Sequence, residues 1–454
     1  MKKELTKFEN LFGNKVDYSF LGENELIKLT EQEELSLKEG AILKAVNRKT
    51  QIILGREITN SGGQGIIFDC NLAGYVVKIY RKAFRTKYTQ KKIEALTQYK
   101  NENIQICWPV DVITTNSNMF VGFLMPYAEG KNLYSLTSNP ARVKFRYPGY
   151  NRLTQINMIL DILDKFIYLH KMNVLVGDVK LENIIFDEKF KITLIDMDSV
   201  QAGEFPCDSS TPGYDCREVI LARGKDKYKE KYKDGIYKFN KYYRDYYRKY
   251  EHECYAITVL IYKLLMNGKF PYTYSDFGML NDDVNIYEDI QLCVDLNFPY
   301  SQNQNETKET CGEKAIWSHL PSFVKNAFVA SFKENFRYTP SDWMRIFEFY
   351  KQLLVKEELA DNDNECMNPF PENEIDYNLV ERKMSEVHSA RGFAMWQAVG
   401  RVIKAFDDKQ LMKHLLEISE ALKYCSTYKK GKYRFTLVYN LGILKKVKAE
   451  AELI

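Results

Sequence analysis

Asp178, Lys180 and Asn183 crowd one short loop, and Asp196 closes the second of two apolar stretches that follow, all within the run VLVGDVKLENIIFDEKFKITLIDMDSV from Val174 to Val200. Two hard oxygen ligands, Asn183 and Asp196, suit Mg²⁺, which binds through few carboxylates and keeps places for water and phosphate oxygens. Asp178 is then left to orient a hydroxyl and accept its proton. Lys180 can neutralise charge on a transferred phosphoryl group. The chemistry available to these residue types at this spacing is metal-assisted nucleotide chemistry.

The stretch Val176-Gly177-Asp178-Val179-Lys180-Leu181-Glu182-Asn183 resembles the H-R-D-L-K-P-E-N catalytic loop of the eukaryotic-like protein-kinase superfamily, and Asp196-Met197-Asp198 resembles its D-F-G metal loop. The residues that do chemistry or hold charge are retained, and the departures fall mostly on positions that shape and regulate. The V-G-D and D-x-D variants are similar to a divergent bacterial branch of kinase-like proteins. The resemblance implies ATP as cofactor, with Mg²⁺ or Mn²⁺, and a two-lobed α+β fold with a small antiparallel β lobe and a mainly helical lobe.

Upstream, Asn60-Ser61-Gly62-Gly63-Gln64-Gly65-Ile66-Ile67 resembles the kinase glycine-rich loop with Asn60 in the first glycine position. Asn tolerates positive φ better than other non-glycine residues, so the exchange is mild. The resemblance implies that Gly62, Gly63 and Gly65 let backbone amides approach phosphates and that Ile67 covers the adenine; a plain hairpin turn would explain the glycines equally well. Lys78, in the apolar Val76-Val77-Lys78-Ile79, would be costly to bury unpaired. The resemblance gives it the α and β phosphates and a glutamate on the next helix, with Glu94 the best candidate and Glu102 a weaker one. A solvent-facing lysine on an edge strand is the bland alternative. The same resemblance puts Met125 at the gatekeeper, offers Tyr127 and Ala128 backbone groups to the adenine edge, and adds Val76 and Ile185 to the nucleotide pocket. Pro126 stands where an acidic residue is usual, so a hinge amide is missing.

On the regulatory side, Gly177 occupies the place of the arginine that reads activation-loop phosphorylation, so modification of Ser209, Ser210 or Thr211 is not expected to be the master switch. Met197 still packs as a spine residue. Asp198 replaces glycine and reads equally as a further metal ligand or as a cap of the following turn. Glu218 and Arg337 resemble a structural ion pair of the family, Glu253 stands where an acid braces the catalytic loop, and His170 caps or packs at a helix end. Between Arg223 and Lys249 an insertion dense in Lys, Arg and Tyr could grip acidic protein or stack on single-stranded nucleic acid. A solvated helical hairpin is the simpler reading.

The elements needed to position these residues follow in order. Residues 1–50 read as a small extension or extra strands; 51–126 alternate apolar and polar residues as a curled antiparallel sheet does, with a helix over Thr86–Tyr99 and strands at Val110–Thr114 and Met119–Met125. From 127 to 358 the pattern is helical: Ile156, Ile159, Leu160, Leu163 and Ile167 recur at helical spacing, and Tyr255–Leu265 is a buried helix stopped by Asn267-Gly268 and Pro271. Residues 359–378 read as a linker, and 379–454 as an appended C-terminal helical module that a partner protein could use.

With 454 residues and 45% hydrophobic content the chain can bury a substantial core in two or three domains. A net charge of +4 gives no global reason for a nucleic-acid partner. Nine scattered cysteines, an odd number without a C-x-x-C pair, argue against zinc and against a secreted disulfide framework, and imply a reducing, cytoplasmic setting. The most apolar window, Ala256–Met266, is too short to span a membrane. The reading that joins these features is an ATP-dependent serine/threonine kinase acting on a protein substrate. A pseudokinase that binds nucleotide or partners without turnover is the alternative of another class, and an aminoglycoside- or choline-type phosphotransferase is the alternative enzyme.

Overall fold

The computed structural model describes residues 25–59, 63–137, 143, 146–207, 209, 211, 213–223, 247–272, 291–300, 312–359, 398–406, 409–422, 427–439 and 447–453. The chain divides into two compact units: Met1–Leu133, Leu160–Leu260 and Thr339–Met344 form one, and Tyr134–Ile159, Ile261–Tyr338 and Arg345–Ile454 the other. The tip of the glycine-rich loop (residues 60–62), most of the basic, tyrosine-rich insertion (224–246), and residues 360–397, which take in nearly all of the linker and the start of the C-terminal module, lie outside the described residues.

The first unit opens with a helix α1 (Glu31–Ser36) started by a Thr30/Glu33 capping box. Six strands follow: β1 (Ile42–Ala45), β2 (Thr50–Thr59), β3 (Gly65–Cys70), β4 (Tyr75–Tyr80), β5 (Asp111–Thr114) and β6 (Phe120–Pro126). They close into a barrel in the order β1-β2-β3-β4-β6-β5, every neighbouring pair antiparallel. The strands fold this way because their apolar residues alternate: Leu43 and Ala45, Ile52 and Leu54, and Val77 and Ile79 point inward to pack with Phe68, Ile113, Val121 and Leu124. Closure depends on β1, which pairs with both β2 and β5. That strand lies in the segment that reads from sequence as a small extension or extra strands; it is only four residues long and follows a charged helix, too little for its period to decide between the two.

Between β4 and β5, helix α2 (Lys87–Leu96) is N-capped by Thr86 and buries Tyr88, Lys92, Ile93 and Leu96 on one face. The remainder of the unit carries the loops of interest. Strand Val174–Leu175 pairs with Gln201–Ala202, and strand Ile184–Phe186 pairs with Ile192–Leu194 and with Lys131–Asn132. Asp187 shapes the turn of the Ile184–Leu194 hairpin by accepting the amides of Lys189 and Lys191. The helix Tyr250–Leu265 is buried along nearly its whole length, and Trp343 donates to Thr258 Oγ1 at 2.9 Å.

In the second unit an aromatic core joins Tyr262, Tyr272, Phe298, Trp317, Phe328 and Phe332 through edge-on and tilted ring contacts. The carboxy-terminal part is not purely helical as expected. Helices at residues 398–405, Lys409–Met412 and Leu415–Ala421 pack with a three-stranded antiparallel sheet, Thr427–Lys430, Tyr433–Tyr439 and Val447–Leu453. The reason is visible in TYKKGKYRFTLVY: Tyr428, Tyr433 and Phe435 alternate with polar residues about a two-residue Gly431-Lys432 turn, with Gly431 at φ +58°. A period of two decides for strands here. Among the described residues no helix is long and apolar enough to cross a membrane.

Candidate active site

The residues singled out for chemistry gather within the first unit. Strand β4 carries Lys78, paired in register with Ile67 on β3 and Phe123 on β6. Period-two alternation puts Tyr80 on the same face as Lys78. The Lys78 ammonium, buried at 6% exposure, donates to Asp196 Oδ1 at 2.7 Å and to both oxygens of Asp198 at 2.8 and 2.9 Å, while the Tyr80 hydroxyl donates to Asp198 Oδ2 at 2.6 Å. Burial opposes charge on Lys78, but the two carboxylates outweigh it and hold its pKa above the ordinary lysine value. Lys78 in turn draws the Asp196 carboxyl below its usual range, whereas burial pushes Asp198 above it.

The expected partner, Glu94, is not there. It is exposed on α2 and accepts from Gln90 at 2.8 Å. The face of α2 that turns inward carries Tyr88 and Lys92 instead, and Lys92 Nζ donates to the Pro206 carbonyl at 2.9 Å. Helical phase, set by burial of Tyr88, Lys92, Ile93 and Leu96, carries Glu94 outward.

The loop after Val174–Leu175 is built around its own polar groups. Gly177 has φ +73°, and a Cβ there would lie 2.2 Å from Cys207 Sγ, so only glycine fits. Glu253, buried on the helix Tyr250–Leu265, accepts the amides of Val176 at 3.0 Å and Gly177 at 2.7 Å, and bonds His170 Nε2 at 2.8 Å. Glu253 therefore braces the loop, and His170 packs at its helix end. Asp178, 4% exposed, follows directly. Its Oδ2 accepts from Lys180 Nζ at 2.7 Å and its Oδ1 from the Thr211 hydroxyl at 2.8 Å. Burial works against the Lys180 charge, and Asp178 more than offsets it, so the Lys180 pKa lies above its ordinary value.

A short 3₁₀ turn, Leu181–Asn183, returns Asn183 to the same place: its Nδ2 donates to the Asp178 carbonyl at 3.0 Å, and its own carbonyl accepts from Ile195 N at 3.0 Å. Asp196 follows with φ +63° and a side chain 36% exposed. Asn183 and Asp196 thus stand on adjoining backbone and are the residues that would hold Mg²⁺. Among the described residues no group of three or more His, Cys, Asp or Glu forms a metal cage. A donor set of two oxygens still fits a cation that draws its remaining ligands from water and phosphates.

Of the other residues expected at a nucleotide, Gly65 sits against β4, where a Cβ would come 2.7 Å from the Ile79 carbonyl; Gly63 has open space around it; and Asn60 and Gly62 lie outside the described residues. Val76 pairs with Met125, both buried, and Ile185 pairs with Asn132 and Thr193. The Tyr127 amide donates to the Gly74 carbonyl at 2.9 Å. Ala128 keeps its place beside it on the chain. Glu218 and Arg337 fall in different units, and Arg337 donates to the Asn335 carbonyl and Oδ1.

Two features escaped the sequence reading. Tyr80 could have been found from its position two residues beyond Lys78. Arg248, taken as the end of the basic insertion, is buried and pairs with buried Asp215 at 2.9 Å, while its backbone exchanges hydrogen bonds with the Gln201 side chain. Nothing in a run of Lys, Arg and Tyr marks which one turns inward.

No family model matches the chain. It is 24% identical over 316 residues to a protein named Protein kinase YegI from Escherichia coli O157:H7, covering 66% of this chain and 45% of that protein. It is 25% identical over 317 residues to the protein of the same name from Escherichia coli strain K12, covering 67% and 45%. The chain spans under half the length of the curated relatives it matches. Relatives of this name at this identity suggest a kinase-like family.

Proposed function

We propose that the chain is an ATP-dependent phosphotransferase that moves the γ-phosphoryl group to a protein serine or threonine hydroxyl, with Mg²⁺ or Mn²⁺ held by Asn183 and Asp196. The observation that carries this reading is the setting of Asp178: a buried carboxylate with Lys180 on one oxygen and the Thr211 hydroxyl on the other. A hydroxyl donor already occupies the place a substrate hydroxyl would need. Asp178 Oδ1 would orient the attacking hydroxyl and take its proton as the new P–O bond forms. Lys180 would balance charge on the group in transit, and Lys78 would grip the non-transferred phosphates. A bound Mg²⁺ would supply charge neutralisation across the phosphate oxygens. The kinase-named relatives support the same class of reaction. Free Cys70, Cys107, Cys207, Cys216, Cys254 and Cys293 fit a reducing, cytoplasmic setting.

The test is transfer from labelled ATP with Mg²⁺ or Mn²⁺ to a generic protein substrate, beside Asp178→Asn. Loss of a general base predicts a fall of about 10²- to 10⁴-fold. Equal label with both proteins removes the assignment, and nucleotide binding without transfer in the parent protein makes it a nucleotide-binding pseudokinase.

A further inference from the structure

We propose that Asp198 is the residue that anchors Lys78 for nucleotide phosphates, doing from the metal loop what Glu94 was expected to do from α2. The inference rests on the proposed nucleotide site and deepens it. Both Asp198 oxygens face the ammonium, at 2.8 and 2.9 Å, and Oδ2 also takes the Tyr80 hydroxyl at 2.6 Å. The Asp198 side chain is only 2% exposed. A buried carboxylate persists when it is paired and hydrogen-bonded, and here Lys78 and Tyr80 supply both conditions.

The neighbouring acid is placed differently. Asp196 gives Lys78 one oxygen, and its side chain is 36% exposed, so it keeps an accessible face for a cation. The two aspartates therefore divide the work: Asp196 looks outward toward a metal, and Asp198 is committed inward to the lysine. On this reading Asp198 serves the lysine and is not a further metal ligand. Helix α2 offers no substitute, because its inward face carries the cation Lys92, and Glu94 bonds Gln90 on the exposed side. Lysine placement and metal placement are then carried by one tripeptide, Asp196-Met197-Asp198, with buried Met197 seating it. A shift of α2 would not release Lys78.

The experiment is titration of the full chain with a fluorescent ATP analogue, once in EDTA and once in Mg²⁺, alongside the transfer assay. Variants are Asp198→Asn, Glu94→Gln, Lys78→Met and the Lys78→Met/Asp198→Asn double. Losing a charge-assisted anchor should weaken binding by about tenfold or more for Asp198→Asn in both buffers. Glu94→Gln should stay within about twofold, and the double variant should bind no worse than Lys78→Met by more than about twofold, because Asp198 acts through the lysine. A loss confined to Mg²⁺ would make Asp198 a metal ligand and overturn the proposal, as would additive losses in the double variant or an equal loss in Glu94→Gln. If Asp198→Asn does not fold, Tyr80→Phe replaces it, with a loss of about threefold expected from one hydrogen bond and no loss counting against the anchor. A parent protein that binds the analogue with this pattern yet transfers no phosphate sinks the kinase reading and leaves the anchor standing. No binding by the parent protein sinks both.

Discussion

Exchanging Glu253 for Gln alters one atom of the brace beneath the loop that carries Asp178. In the parent protein Oε1 accepts from Val176 N and meets His170 Nε2, while Oε2 accepts from Gly177 N, all within a fully buried pocket. A glutamine has one acceptor oxygen. Whichever way the amide turns, its NH₂ faces one of the two loop amides, donor against donor. One buried N–H loses its partner, which costs about 1–3 kcal/mol. The surviving bond loses its charge assistance, worth about 1 kcal/mol more. With the amide oxygen kept at the Oε1 position, His170 Nε2 keeps its acceptor and adds nothing to the total.

The local opening energy of the loop should therefore fall by about 2–4 kcal/mol, which raises amide exchange by about 30- to 1,000-fold. Hydrogen–deuterium exchange on a peptide spanning residues 174–183 reads this directly, with a peptide over residues 75–80 as the internal reference. Asp178 follows Gly177 in the chain, so a displacement of about 1 Å should also lower kcat by about 10²-fold. Unchanged exchange over 174–183 in a folded Glu253→Gln protein would refute the brace.

Gly177→Ala puts a methyl 2.2 Å from Cys207 Sγ and 2.6 Å from its Cβ at φ +73°, and should destabilise the protein by about 2–5 kcal/mol in thermal unfolding. Adding Cys207→Gly should recover the packing part and not the backbone part. Asp215→Ala strands the buried Arg248 guanidinium and should cost about 3–5 kcal/mol in urea unfolding, with a loss under 1 kcal/mol counting against the pair. Burial and then Arg248 push the His252 pKa down to about 4, and its Nδ1 accepts the Lys249 amide. The folded protein thus refuses a proton that the unfolded chain takes up below about pH 6.5, so this contribution is whole above that pH and is lost as pH falls toward 4. His252→Asn should flatten the stability slope in that window by about 2 kcal/mol, and an unchanged slope would count against a neutral buried ring.

Asp178, Lys180, Asn183 and Asp196 were legible because short loops hold them: the 3₁₀ turn Leu181–Asn183 and the hairpin that follows fix their meeting within a few residues of chain. Lys78 was legible from its apolar strand. Its partner was not, since Asp198 lies 120 residues away and nothing local advertises the contact. Glu94 was chosen for its order along the chain, yet order says nothing of helical phase, and burial of Tyr88, Lys92, Ile93 and Leu96 sets that phase. The strand Ile42–Ala45 and the carboxy-terminal sheet were hidden for the opposite reason. Their segments are short or highly charged, and the pairing that makes them strands comes from neighbours in the barrel and in the hairpin.

The departures from the resembled pattern form one physical arrangement. Where that pattern has an arginine before the catalytic aspartate, Gly177 leaves space that Cys207 fills, and the Arg248 Cδ lies 3.6 Å from where a Cβ would be. Arg248 itself is spent on Asp215 and on Gln201, inside the protein. Thr211 is spent on Asp178. A phosphate on Thr211 would displace that hydroxyl from Asp178, and taking Arg248 as its partner would break the buried pair with Asp215, which costs about 3–5 kcal/mol. A phosphoryl group that orders a loop does so through one to three new charge-assisted bonds. Thr211 and Arg248 already make such bonds, to Asp178 and Asp215, so a phosphate in this loop would trade existing bonds for new ones, and the expected gain from modification is correspondingly small.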